Sequence, residues 1–183
     1  MAVITVQADP SRHYKPRTLI NAKQSDLTLA LAKDYNTAGE RLTYAASMHR
    51  HARITLGDDP LASARMLYRY LRQHRVSTLN IAGNGLATLS RYRWDQAMVN
   101  AWTFEVLAHV LPHWPLTLIR SGGQTGADMA GLVAGHALGI DVLAYMPAGY
   151  RQRASDGSDY NNTPAQIEQQ IRDGARRATG RPG

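Results

Sequence analysis

The chain contains no cysteine, which excludes a disulfide framework and any thiolate metal site. It has no apolar run of the roughly 18 residues that a membrane-spanning helix needs, so no span is expected. Its first residues, Met-Ala-Val-Ile-Thr-Val-Gln, lack a basic start followed by a long apolar core. No secretory signal is read there, and a cytoplasmic protein is the expectation. No helix pattern carries a solidly basic face, and neither zinc-finger spacing nor an RNA-binding aromatic motif occurs. The histidine pairs His49/His51 and His109/His113 lack the acidic partner of a zinc-protease helix and read as surface residues. No metal and no cofactor is therefore expected.

What is present is an ordinary globular composition. At 183 residues and 44% apolar side chains, the chain is long enough for one domain with a real core. The formal charge of +7 and the pI of about 10.0 favour an anionic ligand or partner. The basic residues are scattered. Their densest groups are Arg12 to Arg17, the pair Arg151/Arg153 and the stretch from Arg172 to Arg181.

The first 59 residues read as an N-terminal extension with few clear signals. Val3 to Gln7 alternates weakly as a short strand, residues 8–18 read as loop, Leu27 to Tyr35 has helical spacing, and Arg53 to Leu56 looks like a strand. From residue 60 the rhythm is regular. Asp58 and Asp59 precede Pro60 as helix-start signals, and Leu61, Ala64, Leu67 and Leu71 mark one helical face. Thr78 to Ala82 reads as a buried strand, Asp95 as the N-cap of a helix ending by Pro112, and Leu116 to Arg120 as the next strand. A helix over Gln124 to Leu138 follows, with Gly139 just past its end. Val142 to Met146 is another strand. Thr163-Pro-Ala-Gln166 is a capping box opening the last helix, and residues 179–183 read as a tail. Strands apolar throughout and separated by helices predict a Rossmann-like, doubly wound α/β domain, with a mainly parallel sheet covered on both faces. Ligands in such sheets bind outside the carboxyl ends of the strands, here the loops 83–90, 121–127 and 147–153.

The most informative stretch is Leu116-Thr-Leu-Ile-Arg-Ser-Gly-Gly-Gln-Thr-Gly-Ala-Asp128. A strand runs into a glycine-rich turn and a helix starts at once, the arrangement that points free N–H groups at an anion. It is not a Walker A loop, since Ala127-Asp128 stands where Lys-Ser/Thr would follow. It is not a dinucleotide fingerprint either, since Met146-Pro147 ends the next strand where an acidic residue would hold a ribose. Behind it, Ala127, Gly131 and Gly135 recur every four residues and predict a helix lying close on the sheet. Asp128, in the first turn, gains from the helix dipole and is placed to accept a bond from a ligand hydroxyl.

Arg120-Ser-Gly-Gly-Gln-Thr-Gly-Ala-Asp128, followed by Gly139-Ile140 and Met146-Pro-Ala-Gly-Tyr-Arg151, resembles the SLOG superfamily. This superfamily includes the LOG-type proteins, the DNA-processing protein DprA and the molybdenum-carrier proteins. The molybdenum-carrier branch is the closest in motif, and the resemblance runs over residues 78–160. It implies a Rossmann-like domain that binds a nucleotide or a nucleotide-derived phosphate, ADP-ribose-like or a nucleoside monophosphate. Such a protein acts as a sensor, a sequestering protein or an N-glycosidase. The alternatives it implies are a DNA-binding module of DprA type and an oxyanion carrier for molybdate or phosphate. An oligomer is also implied. Carried over by position, Ser121, Gly122, Gly123, Gln124, Thr125 and Gly126 cradle phosphate and Asp128 borders the sugar. Gly83, Asn84 and Gly85, with Pro147, Gly149 and Arg151, form the neighbouring walls. Arg151 follows a strand end where a second phosphate would be met bidentately. The hydrolytic branch carries Pro-Gly-Gly-x-Gly-Thr-x-x-Glu; here Met129 stands in the place of that Glu, so the loop speaks for binding more than for catalysis. Asp128 and Glu40, the latter in Thr37-Ala-Gly-Glu-Arg-Leu-Thr43, are the carboxylates that remain as catalytic candidates.

Overall fold

A computed structural model describes residues 2–180. The tail from residue 181 on, including Arg181 of the last basic group, lies outside the described residues. The main elements are β1 (Ile4–Ala8), α1 (Tyr14–Lys23), β2 (Leu27–Ala32), α2 (Ala38–Ser47), β3 (His51–Thr55), α3 (Pro60–His74) and β4 (Thr78–Gly83). After these come α4 (Leu86–Leu89), α5 (Gln96–Val110), β5 (Leu118–Ser121), α6 (Ala127–Ala137) and β6 (Asp141–Met146). A small hairpin, β7 (Gln152–Arg153) and β8 (Asp159–Tyr160), precedes α7 (Pro164–Ala178). No helix among the described residues is long and apolar enough to cross a membrane.

Six strands form one parallel sheet in the order β1-β6-β5-β4-β2-β3. The chain moves along the sheet in one direction through α1 and α2 and in the opposite direction through α3, α5 and α6. Right-handed crossovers then place α1 and α2 on one face and α3, α5 and α6 on the other. The packing agrees: α1 touches α2, while α5 touches α3, α6 and α7. The winding reverses between β2 and β4, which makes their carboxyl ends the topological switch point.

The strong local signals of the sequence hold. Asp59 caps α3, with Oδ1 accepting from Ala62 N–H at 2.8 Å, and Asp95 caps α5 by the same bond from Met98 N–H. Thr163 and Gln166 form the reciprocal capping box of α7. α6 lies close on the sheet because its glycines admit the strands: a Cβ on Gly131 would stand 2.7 Å from Ile81 Cβ, and one on Gly135 2.9 Å from Val142 Cγ1. Each glycine costs a helix about 1 kcal/mol relative to Ala, which this packing offsets.

Two expectations are corrected. The helical spacing over Leu27 to Tyr35 belongs instead to strand β2, whose six residues are all buried. A central strand covered on both faces is apolar at every position, so its periodicity cannot be told from a buried helix turn. The loop expected over residues 8–18 contains the start of α1. Pro16 is the third residue of that helix, where its missing N–H is not needed, and His13 caps it without a side-chain bond, leaving no signature to read. Residues 1–59 thus supply three of the six strands and both helices of one face.

Candidate functional site

The loops leaving β2, β4 and β5, with Arg153 beyond β6, meet at the carboxyl edge of the sheet around a cleft of about 480 Å³. α1 contributes Tyr14, Arg17 and Thr18 to its wall, and the start of α2 contributes Thr37, Ala38 and Gly39. Leu42 and Thr43 of α2, Ala82 to Thr88, and Gln124, Asp128 and Arg153 complete the lining.

Asn84 holds the switch point together. Its Oδ1 accepts from the N–H groups of Lys33 and Asp34, both at 2.9 Å, and its Nδ2 donates to Asp34 O at 2.9 Å. The β2 loop is therefore fastened to the β4 loop by one buried amide, which leaves its polar atoms little capacity for a ligand.

The glycine-rich loop is fastened just as thoroughly. Ser121 is fully buried and donates to Ile81 O at 2.7 Å. Gly126 N–H donates to Gln96 Oε1 at 2.7 Å and Ala127 N–H to Asn84 O at 3.1 Å. Gln124 N–H reaches Asp128 Oδ2 at 3.4 Å. The Gln124 amide pairs with the backbone of Arg151 and Arg153, and Thr125 Oγ1 donates to Arg153 O. Of the site residues expected from sequence, Gly83, Asn84, Gly85, Gln124 and Asp128 line the cleft. Ser121, Gly122, Gly123, Thr125 and Gly126 form the turn behind it, and Pro147, Gly149 and Arg151 lie off the lining. Arg151 is instead paired with Asp159 at 2.5 Å.

Arg17 and Tyr14 are cleft residues that the sequence showed only as part of a basic cluster. Arg17 Nη1 meets Asp128 Oδ2 at 3.0 Å, both residues buried. The Tyr14 ring has the guanidiniums of Arg17, Arg151 and Arg153 within 5.4–5.9 Å of its centroid, and its hydroxyl donates to Asp159 Oδ1 at 2.9 Å. Gln96, which braces the loop from α5, gave no sequence signal. Of the histidines, His51 bonds Ser47 Oγ at 2.7 Å and His113 packs edge-on against Tyr68.

Glu40 and Asp128 are the buried carboxyl groups beside the cleft. Burial raises the Asp128 carboxyl, against the pull of Arg17 and of backbone N–H bonds. Glu40 is only 2% exposed, its Oε2 has no hydrogen-bond partner, and Asn84 Nδ2 stands 3.5 Å from Oε1. Its burial, and after that the charge of Asp128, push it up to about 7. One carboxyl is thus tied to a guanidinium while its neighbour holds a proton near neutrality. Because the folded value lies above the ordinary one, the folded state binds more protons than the unfolded state between the two. Stability is then lost as pH rises through that window and stays lost above it. Glu40→Gln is therefore expected to stabilise the protein at pH 8, relative to its effect at pH 5, by about 2–3 kcal/mol. Urea denaturation of both proteins at the two pH values measures this; an equal effect at both would place the proton elsewhere.

The fold and cleft define a Rossmann-like α/β protein with a cleft at the switch point of a parallel sheet. A family model described as the circularly permutated YpsA SLOG family matches residues 3–99, just over half of the chain. The chain belongs to that family. The matched span takes in Arg17, Glu40 and Asn84 and ends before the glycine-rich loop. Searches of curated proteins and of solved structures returned no match.

Proposed function

We propose that the protein binds a nucleotide or nucleotide-derived phosphate, such as ADP-ribose or a nucleoside monophosphate, in the cleft at the carboxyl edge. One observation carries this reading. A cleft of about 480 Å³, within the range of small-ligand sites, combines the cations Arg17 and Arg153 with the aromatic face of Tyr14 and the apolar Leu42, Ala82 and Leu86. Membership of a SLOG family supports nucleotide-related binding in general. The glycine-rich loop serves this site as its rear wall and fastening. As a sensor or sequestering protein the chain needs nothing more.

A second reading, cleavage of an N-glycosidic bond, is favoured by the two carboxyl groups. Glu40, pushed up to about 7 just behind the cleft wall, and Asp128, paired with Arg17, are two carboxyl groups in unlike environments, the combination of acid and carboxylate that such a bond requires. Release of free base by the wild type but not by Glu40→Gln, followed by chromatography, separates enzyme from binder.

The test of the binding reading is a thermal-shift screen with nucleotides, ADP-ribose and molybdate, repeated on Ala87→Trp. Ala87 lines the cleft, and an indole there is expected to fill it and abolish the shift. Absence of any shift in the wild type, or an equal shift in the variant, removes the reading. A response to molybdate alone identifies an oxyanion carrier of the molybdenum-carrier kind. Binding only to single-stranded DNA, with a steep salt dependence, identifies a DprA-like module.

A further inference from the structure

We infer that two copies of the chain pair through β1, antiparallel and about a two-fold axis at Val6, so that their two six-stranded sheets join into one. This goes beyond the cleft reading and does not depend on it, since no residue of β1 lines the cleft.

β1 is an edge strand of the sheet. In a parallel pair, alternate residues turn their N–H and C=O groups toward the neighbour and the others turn theirs away. The two ends of the strand fix which are which. Val3 O accepts from Val142 N–H at 2.9 Å, and Asp9 N–H donates to Met146 O at 2.8 Å. Odd-numbered residues therefore face β6, and Ile4, Val6 and Ala8 turn their backbone groups outward. Among the described residues no other strand or loop bonds to those groups. The edge is also uncovered: Val3 is 56% exposed, and Gln7 and Ala8 are exposed.

Nothing in the strand blunts this edge. It consists of Ile-Thr-Val-Gln-Ala, without a charge or a proline, and its register with β6 is one-for-one, without a bulge. Those are the devices that keep an open edge from pairing. A second copy of the same strand satisfies every outward group. About an axis at Val6, the two Val6 residues exchange both their bonds, and Ile4 of each copy exchanges both with Ala8 of the other. Ile4, Val6 and Ala8, each with one N–H, thus give six bonds across the two copies. Thr5 then stands opposite Gln7 of the second copy, a neutral pair.

The other edge is guarded. Thr28 N–H donates to Arg50 O and Leu56 N–H to Ala32 O, so His51, Arg53 and Thr55 are the outward residues of β3. Two-fold pairing there would set Arg53 opposite Arg53, and like charges directly opposite are destabilising. The Arg53 guanidinium is held at this edge between the rings of Tyr35 and Tyr44, at 5.1 and 5.0 Å from their centroids. With one edge free to pair with itself, assembly closes at two copies.

Sedimentation equilibrium on the full chain tests this. The wild type should approach twice the chain mass of 20.2 kDa as concentration rises, and go no further. Ala8→Pro removes an outward N–H that the monomer does not use, and with it two of the six bonds. It should raise the dissociation constant by about tenfold or more. Thr5→Lys/Gln7→Lys sets lysine opposite lysine and should give monomer, while Thr5→Glu/Gln7→Lys sets opposite charges there and should keep the dimer. This contrast holds the number of substitutions constant, so it reads pairing rather than a failure to fold. A wild type that stays monomeric up to its solubility limit overturns the proposal. So does an open series of larger oligomers, or a dimer that the two charge variants leave alike.

Discussion

Replacing Arg17 by Ala is expected to destabilise the protein by about 3–5 kcal/mol, the range for breaking one partner of a buried ion pair. Arg17 lies on α1 and Asp128 on α6, with helices on opposite faces of the sheet reaching over its carboxyl edge to meet at 3.0 Å. The turn closes over them: a Cβ on Gly122 would fall 1.6 Å from Arg17 Nη1 and 2.6 Å from Asp128 Oδ2. Without Arg17, Asp128 keeps its backbone bond from Gln124 but stands as an uncompensated charge in a dry place. The double variant Arg17→Met/Asp128→Asn should recover most of the loss, because it removes the charge along with its partner. Urea denaturation of both single variants and the double closes the thermodynamic cycle. A cost below about 1 kcal/mol for Arg17→Ala, the value of an exposed pair, would show that water reaches Asp128.

The second large effect is expected at Gly83, where Ala should cost at least about 4 kcal/mol, in the exceptional range for a single substitution. Gly83 ends β4 beside Leu31 of β2, with φ of +153°. A Cβ there would lie 1.9 Å from Leu31 O and 2.8 Å from Ala127 Cβ. The first obstacle is backbone in the middle of the sheet, so relief requires β2 and β4 to part at the switch point. Gly139→Ala is the control: its φ is +83° with nothing within 4 Å of the added carbon, and it should cost only the left-handed strain of about 1–2 kcal/mol. Comparable losses at the two positions in chemical denaturation would refute the clash at Gly83.

The legible parts of the fold are those whose signals are local. Asp59-Pro60, Asp95 and Thr163 to Gln166 announce helix starts because a cap bonds to N–H groups two or three residues away. The spacing of Ala127, Gly131 and Gly135 announces a tight contact because a single helix face makes it. β2 is not legible, because burial on both faces erases the alternation that marks a strand. α1 is hidden by Pro16 and by a cap without a side-chain bond.

The site divides the same way. The turn Ser121 to Gly126 is plain in the sequence, yet the partner of Gly126 N–H is Gln96, 30 residues upstream, and that of the next N–H, on Ala127, is Asn84. Arg17 and Asp128 are 111 residues apart, and no spacing rule joins them. The proton on Glu40 depends on burial and on Asp128, neither of which a neighbouring residue encodes.

By itself, then, the sequence determined the α/β alternation, the glycine-rich turn and the edge of the sheet at which a ligand would sit, since each follows from periodicity or from a cap within a few residues. Only the tertiary structure decided that β1 lies beside β6, that Gln96 and Asn84 take N–H groups at the end of the turn, and that Arg17 and Asp128 meet at the cleft. Those outcomes depend on which distant groups are brought within bonding distance, and chain closure across the sheet sets that.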